Sequence, residues 1–147
     1  GLGDVYKRQV IMDLEELRKF RNDKNPYAAL LGIRVEEIGL GTARATIHLE
    51  DRLLNPVGVP HGGVYFSLAD TACGSAMASH GYYAVTVSTS YEFLRSGRPG
   101  DTLTAVASEI KAGRTICVYD VRITNQEGTL LGTGTFTFYK LDREIEL

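Results

Sequence analysis

The chain has 147 residues, 44% of them apolar, and a formal charge of −2, which suits a single domain with a sizeable core. That charge leaves no basic footprint for nucleic acid, and no apolar run reaches the roughly 18 residues a membrane span needs. Cys73 and Cys117 stand far apart and His48, His61 and His80 form no ligand pair, so no metal is expected, and reduced buried thiols fit a cytoplasmic protein.

Residues 1–9 lack an initiator Met and read as a non-native extension, so the domain is expected to span residues 10–147. Ile11, Leu14, Leu17 and Phe20 fall at helical spacing and predict an amphipathic helix over 12–22. Asn25-Pro26 looks like an N-cap followed by Pro at the first helical position, predicting a short helix over 26–31 that stops at Gly32. Its Tyr27, Leu30 and Leu31 are candidates to cover one end of a cavity. Strands are predicted over 33–38 and 42–50; in the second, Ala43, Ala45, Ile47 and Leu49 alternate with polar residues and should face the core. After a loop and a helix come four more strands, over 82–94, 101–111, 115–125 and 129–141, separated by short Gly-containing turns that imply antiparallel neighbours.

The stretch that organises the chain is residues 55–79. A loop rich in Pro and Gly passes through Asn55 and His61 into Gly62 and Gly63, and then a helix begins that is small or apolar on every side. Such a helix is expected to be buried all round. Its one ionisable residue is Asp70, and a carboxylate there needs partners or a job, because burying an unpaired charge is costly. The sum is an α+β domain, one antiparallel sheet curled round one long helix. The other face of that sheet, and its exposed strand edges, call for at least a second copy of the chain.

Asn55, then His61-Gly62-Gly63, then Leu68-Ala69-Asp70-Thr71-Ala72 resemble the signature of hotdog-fold acyl-CoA thioesterases of the PaaI (phenylacetate-degradation) type. The likeness continues through residues 90–101, Gly113-Arg114-Thr115 and 118–125, and so covers nearly everything from Asn25 to Tyr139. A lone His-Gly-Gly is weak evidence. The triplet with Asn six residues before His61 and Asp nine after it is far more specific. The resemblance implies a hotdog fold, hydrolysis of an acyl-CoA to a carboxylate and free CoA without a cofactor, and a dimer or dimer of dimers with the site between subunits. A phenylacetyl or hydroxyphenylacetyl group is the substrate it suggests first. It also implies that Asp70 is nucleophile or general base, that the Gly62 N–H meets the thioester oxygen, and that Asn55 and a hydroxyl on the next strand, here Thr86, position substrate or water.

The residue types suit that chemistry. The thiolate is a good leaving group, so a thioester needs only a nucleophile and a donor for the oxyanion; Gly62 and Gly63 place N–H groups and the positive end of the helix dipole there. Each assignment has a plainer rival. His61 either fixes the loop or touches substrate, and Asn55 serves equally as a turn residue before Pro56. Cys73 near His61 suggests a thiol nucleophile, against the simpler reading of a small core cysteine. Arg95, Arg98, Lys111 and Arg114 are loop cations that could meet CoA phosphates, Arg114 first among them, or could be solvated surface charges. Phe66 and Tyr82, with Tyr83, line an acyl pocket or simply pack. Two other functions fit the fold: a module that binds acyl-CoA without cleaving it, and a thioester dehydratase. The retained Asp70 argues against the first, and the lack of an Asp/His pair in other positions argues against the second.

Overall fold

The computed structural model describes residues 12–147, so the expectation for residues 1–9 lies outside the described residues. Helix α1 (Leu14–Asp23) opens on Asp13, whose carboxylate accepts from the Glu15 and Glu16 N–H groups. Helix α2 (Pro26–Leu31) is capped by the Asn25 side chain and ends at Gly32, whose φ of 86° is the left-handed turn that glycine supplies. Strands β1 (Arg34–Gly39) and β2 (Thr42–His48) follow, then a short 3-10 turn (Asp51–Leu53) and helix α3 (Gly62–Ala78). Strands β3 (Tyr82–Phe93), β4 (Thr102–Ala112), β5 (Ile116–Thr124) and β6 (Leu130–Glu144) complete one sheet, antiparallel at every pairing, in the order β1-β2-β4-β5-β6-β3. Strands β3 and β4 are not neighbours, although a short loop joins them: the chain crosses the sheet there, and β3 closes the far edge beside β6.

The sheet bends round α3. From the strands, Ala43, Ala45 and Ile47, Leu103, Ala105 and Ala107, and Tyr119, Val121, Phe136 and Phe138 are buried; from the helix, Leu68, Ala69, Ala72, Cys73, Ala76 and Met77 are buried. Alanine on both sides lets helix and central strands approach closely, and the alternation predicted for β2, Leu49 included, is the one observed. Burial of Leu68 alone is worth about 1.5–3 kcal/mol. The helix is not buried all round, however. Gly63, Phe66, Asp70 and Gly74, spaced three or four residues apart, form with Gly62 one open stripe along it, because the sheet wraps only part of its circumference.

The two sheet edges are treated differently. At the β1 edge, Asn22 of α1 pairs with Val35 as a strand would: its Oδ1 accepts the Val35 N–H at 2.8 Å and its Nδ2 donates to the Val35 carbonyl at 2.9 Å. The β3 edge has 12 residues, exposes Val85 and Val87, and pairs with no other element among the described residues. Two glycines let β3 lie close on β6. A Cβ on Gly132 would collide with the Tyr91 hydroxyl and sit 2.7 Å from the Glu92 carbonyl oxygen, and one on Gly134 would sit 2.8 Å from the Ser90 carbonyl oxygen. The Tyr91 hydroxyl is buried against Gly132 with no partner among the described residues. Gly132→Ala is therefore expected to cost about 1–3 kcal/mol by overpacking, while Tyr91→Phe, which deletes an unpaired buried hydroxyl, costs nothing or stabilises. Urea denaturation measures both; an unchanged midpoint for Gly132→Ala would show that the two strands can part without loss.

Candidate active site

The open stripe of α3 begins at its N-terminus. Asn55 heads the preceding loop: its Oδ1 accepts from the Val57 and Val59 N–H groups at 3.0 and 3.2 Å, and its own N–H donates to the Val59 carbonyl. This closed loop delivers His61 to the N-cap position, where its Nδ1 accepts the Gly63 N–H at 2.8 Å. With Nδ1 accepting, the imidazole proton is assigned to Nε2. The expectation of two free glycine N–H groups is thereby corrected: the Gly63 donor is held by His61, and the Gly62 N–H alone has no partner among the described residues. Gly62 borders a cleft walled by Pro60, Tyr65, Phe93, Leu94, Arg95 and Ser96. The Tyr65 hydroxyl accepts the Gly97 N–H at 2.7 Å and so pins the wall of this cleft to the helix.

Two turns further along, Asp70 faces a second, larger cavity of about 390 Å³. The Thr86 hydroxyl on β3 donates to Asp70 Oδ1 at 2.7 Å, which leaves Oδ2 without a partner among the described residues. Three influences act on the carboxyl. Burial raises its pKa above the ordinary 3.8, while the Thr86 hydrogen bond and the Arg21 charge pull the other way and are outweighed. Arg21 reaches the cavity from α1, its Nε donating to Ser75 Oγ at 2.8 Å. Tyr27 covers the α2 side and shares a hydrogen bond of 2.8 Å with Ser67. Aromatic rings dominate the rest of the wall: Phe66, Tyr82, Tyr83 and Phe138.

The structure thus brings together Asp70, Thr86, Phe66 and Tyr82 at one opening, with Tyr27 from the predicted cover. Asn55, His61 and Gly62 gather at the other, where the polar contacts of Asn55 and His61 are those of loop and cap. Eight residues of helix separate Gly62 from Asp70, about 12 Å, so one carbonyl group cannot touch both in the same chain. Arg114 is exposed at the β4–β5 turn and lines neither opening; among the loop cations it is Arg95 that borders the Gly62 cleft. Cys73 is fully buried in the core, and burial pushes its thiol far up, so the thiol-nucleophile alternative is excluded. Arg21 and Tyr65 escape sequence reading. Arg21 looks like one more charge on an amphipathic helix, and only the packing of α1 across the end of α3 turns it inward.

The chain belongs to the thioesterase superfamily, whose family model matches residues 57–131. It is a hotdog-fold thioester hydrolase of the PaaI type. Over 105 residues it is 42% identical to the acyl-coenzyme A thioesterase PaaI of Escherichia coli, a match that covers 71% of this chain and 75% of that one. The solved structure of the Escherichia coli PaaI protein from the phenylacetic acid degradation operon superposes with a TM-score of 0.86 at 32% identity, over 90% of this chain and 96% of that one. A Streptococcus mutans protein bound to acetyl-CoA and a hypothetical thioesterase of Streptococcus pneumoniae with coenzyme A each superpose with a TM-score of 0.73 at 34% identity, over 77% of this chain and 91% of theirs.

Because Thr86 donates to the carboxylate, its loss removes a stabiliser of the charged form, so Thr86→Val should raise the Asp70 titration midpoint further. Carbon-detected NMR titration of the Asp70 carboxyl reads this directly; a native midpoint at or below 3.8, or no change in the variant, would contradict the balance described.

Proposed function

We propose that the chain hydrolyses acyl-CoA thioesters at a site shared by two copies, with the Asp70 carboxylate of one subunit and the partner subunit's Gly62 N–H on the same carbonyl. The separation of about 12 Å between those groups along one helix is the observation that carries this reading. The unpaired β3 edge, with exposed Val85 and Val87, is where a second copy would add its own β3 and extend the sheet. Thr86 lies on that strand, which keeps Asp70 beside the seam. The streptococcal neighbours that hold acetyl-CoA and coenzyme A support the thioester class, and the aromatic cavity wall supports an aryl-acetyl group such as phenylacetyl or hydroxyphenylacetyl. Arg95, beside the Gly62 cleft, is placed to meet a CoA phosphate.

In this reading Thr86 fixes the Asp70 carboxylate through Oδ1, and Oδ2 does the chemistry. Attack by Oδ2 on the thioester carbon expels the CoA thiolate and leaves a mixed anhydride on Asp70, which water then opens. Removal of a proton from water by Oδ2 leads to the same products without that intermediate. The pKa raised by burial makes Asp70 a better base and nucleophile than a solvated carboxylate, at the cost of needing a pH above its midpoint to be ionised. The partner subunit's Gly62 N–H, at the positive end of α3, stabilises the oxyanion. Trapping of an acyl-Asp70 anhydride with hydroxylamine separates the two routes, and a single turnover in ¹⁸O-water adds to it where water opens the anhydride at the Asp70 carboxyl carbon, since only then does an oxygen of Asp70 enter the product.

Asp70→Asn keeps an oxygen for Thr86 and is expected to lower kcat by about 10²–10⁴ while leaving acyl-CoA binding in place. It should not lower Tm. Since burial raises the folded-state pKa of Asp70, the native carboxylate loses stability as pH rises from the unfolded value through the folded one, and the amide is free of that loss above it. An Asp70→Asn protein with undiminished thiol release would refute the assignment.

Gly62→Pro is the matching test of the oxyanion donor. Proline is tolerated at the first helical position, His61 already has the extended φ of −61° and ψ of 138° that suits a residue before proline, and a Cβ there meets only the Phe93 ring at 3.5 Å. The substitution removes one N–H and should cost about 10²–10³ in kcat with Tm held; unchanged kcat would remove Gly62 from the mechanism.

A further inference from the structure

The open stripe of α3 does not end at Asp70. One turn deeper lies Gly74, and a Cβ there would sit 3.2 Å from Arg21 Nη2, so the missing side chain makes the seat for the guanidinium. The seat is built. Arg21 Nε donates to Ser75 Oγ at 2.8 Å, and Ser75 Oγ in turn donates to the Thr71 carbonyl at 2.7 Å, which fixes the serine oxygen as an acceptor toward Arg21. The fork of the guanidinium is unused. Nη1 and Nη2 have no hydrogen-bond partner among the described residues, and no carboxylate there lies within ion-pair range of Arg21. Asp70 acts on it only through space, and the half-buried group lines the same cavity as Asp70.

We propose that Arg21 is a specificity residue that reads an oxygen hydrogen-bond acceptor on the acyl group, about 6 Å beyond the thioester carbonyl carbon. This rests on Asp70 being the carboxylate that acts on that carbonyl. The length follows from the four residue steps from Asp70 to Gly74, at about 1.5 Å of rise each. A plain hydrocarbon in the cavity strips water from two N–H-bearing nitrogens and returns nothing, whereas a hydroxyl or carboxylate oxygen at that reach replaces the lost water. The aromatic rings of Tyr27, Tyr83 and Phe138 line the same cavity as the two points. A ring hydroxyl on an aryl-acetyl group and the distal carboxylate of a short dicarboxylic acyl group both place oxygen at that distance.

The test is kcat/KM on matched pairs that differ only in the distal oxygen. Phenylacetyl-CoA is set against its 3- and 4-hydroxy derivatives, and hexanoyl-CoA against adipoyl-CoA, with native protein, Arg21→Met and Gly74→Ala. The native enzyme is expected to favour at least one oxygenated member over its plain partner by about tenfold or more. Preference confined to the hydroxyaryl pair assigns a neutral acceptor, and preference confined to the dicarboxylic pair an anion. Arg21→Met should bring the ratio close to one, whatever it does to both rates. If Arg21 only tunes Asp70, both members fall together and the ratio survives, which overturns the proposal. A native ratio near one in both pairs overturns it without any variant. Gly74→Ala, which nudges the guanidinium from its seat while adding a better helix former, should reduce the ratio with Tm retained, and it carries the test if Arg21→Met does not fold. If no member of the panel is hydrolysed, the hydrolytic reading fails by itself, and calorimetric Kd values on the same pairs still decide whether Arg21 discriminates.

Discussion

The hydrogen bond from Thr86 to Asp70 is the contact on which the arrangement depends. It ties the open stripe of an otherwise apolar helix to the edge strand of the sheet, and it does so with the only charged side chain that α3 carries. Burial works against the carboxylate, Thr86 and Arg21 work for it, and burial outweighs them, so the pKa of Asp70 is raised. A carboxylate in water would be a poor base. A carboxylate in the core would take up its proton and stay silent. Asp70 is partly buried, with one oxygen anchored by Thr86 and the other without a partner among the described residues.

The rest of the fold serves that position. Alanines on β2, β4 and α3 bring the helix close to the sheet, so the wrap is tight on three sides and open on the fourth. The loop headed by Asn55 converts a chain rich in Pro and Gly into a helix start, and His61 completes it by taking the Gly63 N–H, while the Gly62 N–H has no partner among the described residues. The hydrogen bonds of Asn55 and His61 thus hold the loop and the cap. The crossing that puts β3 at the sheet edge also puts Thr86 there, so the strand that anchors Asp70 is the strand with open backbone groups.

The chain has a functional polarity along α3: a bare N–H at its start, a carboxylate two turns in, and a guanidinium one turn beyond. These three lie on one stripe, at heights of about 0, 12 and 18 Å along the helix. An extended thioester substrate has the same succession of needs, an oxyanion donor, a nucleophile and a contact for the acyl end. In the function proposed above the first two meet at one atom, which a single chain does not allow, and the start of one helix and the middle of another would be brought together by two chains.

Much of this was legible in the residues. Period-two alternation in β2, the Asn25-Pro26 cap and Gly32 stop, the apolar run after His61-Gly62-Gly63 and the solitary Asp70 are local or compositional signals, and each acts through chemistry that neighbours in sequence already fix. The hydroxyl of Thr86 was indicated by the family likeness, and Phe66 and Tyr82 were candidates either to line an acyl pocket or to pack; all three share a cavity with Asp70. What the sequence could not contain was direction. Which side of an all-apolar helix stays open depends on how far the sheet curls; whether Gly62 or Gly63 keeps its N–H depends on the rotamer of His61; and whether Arg21 faces water or the cavity depends on α1 crossing the end of α3 at Gly74. Those are sums over contacts between segments far apart in the chain, and no window of sequence includes both partners, so only the tertiary structure decides them.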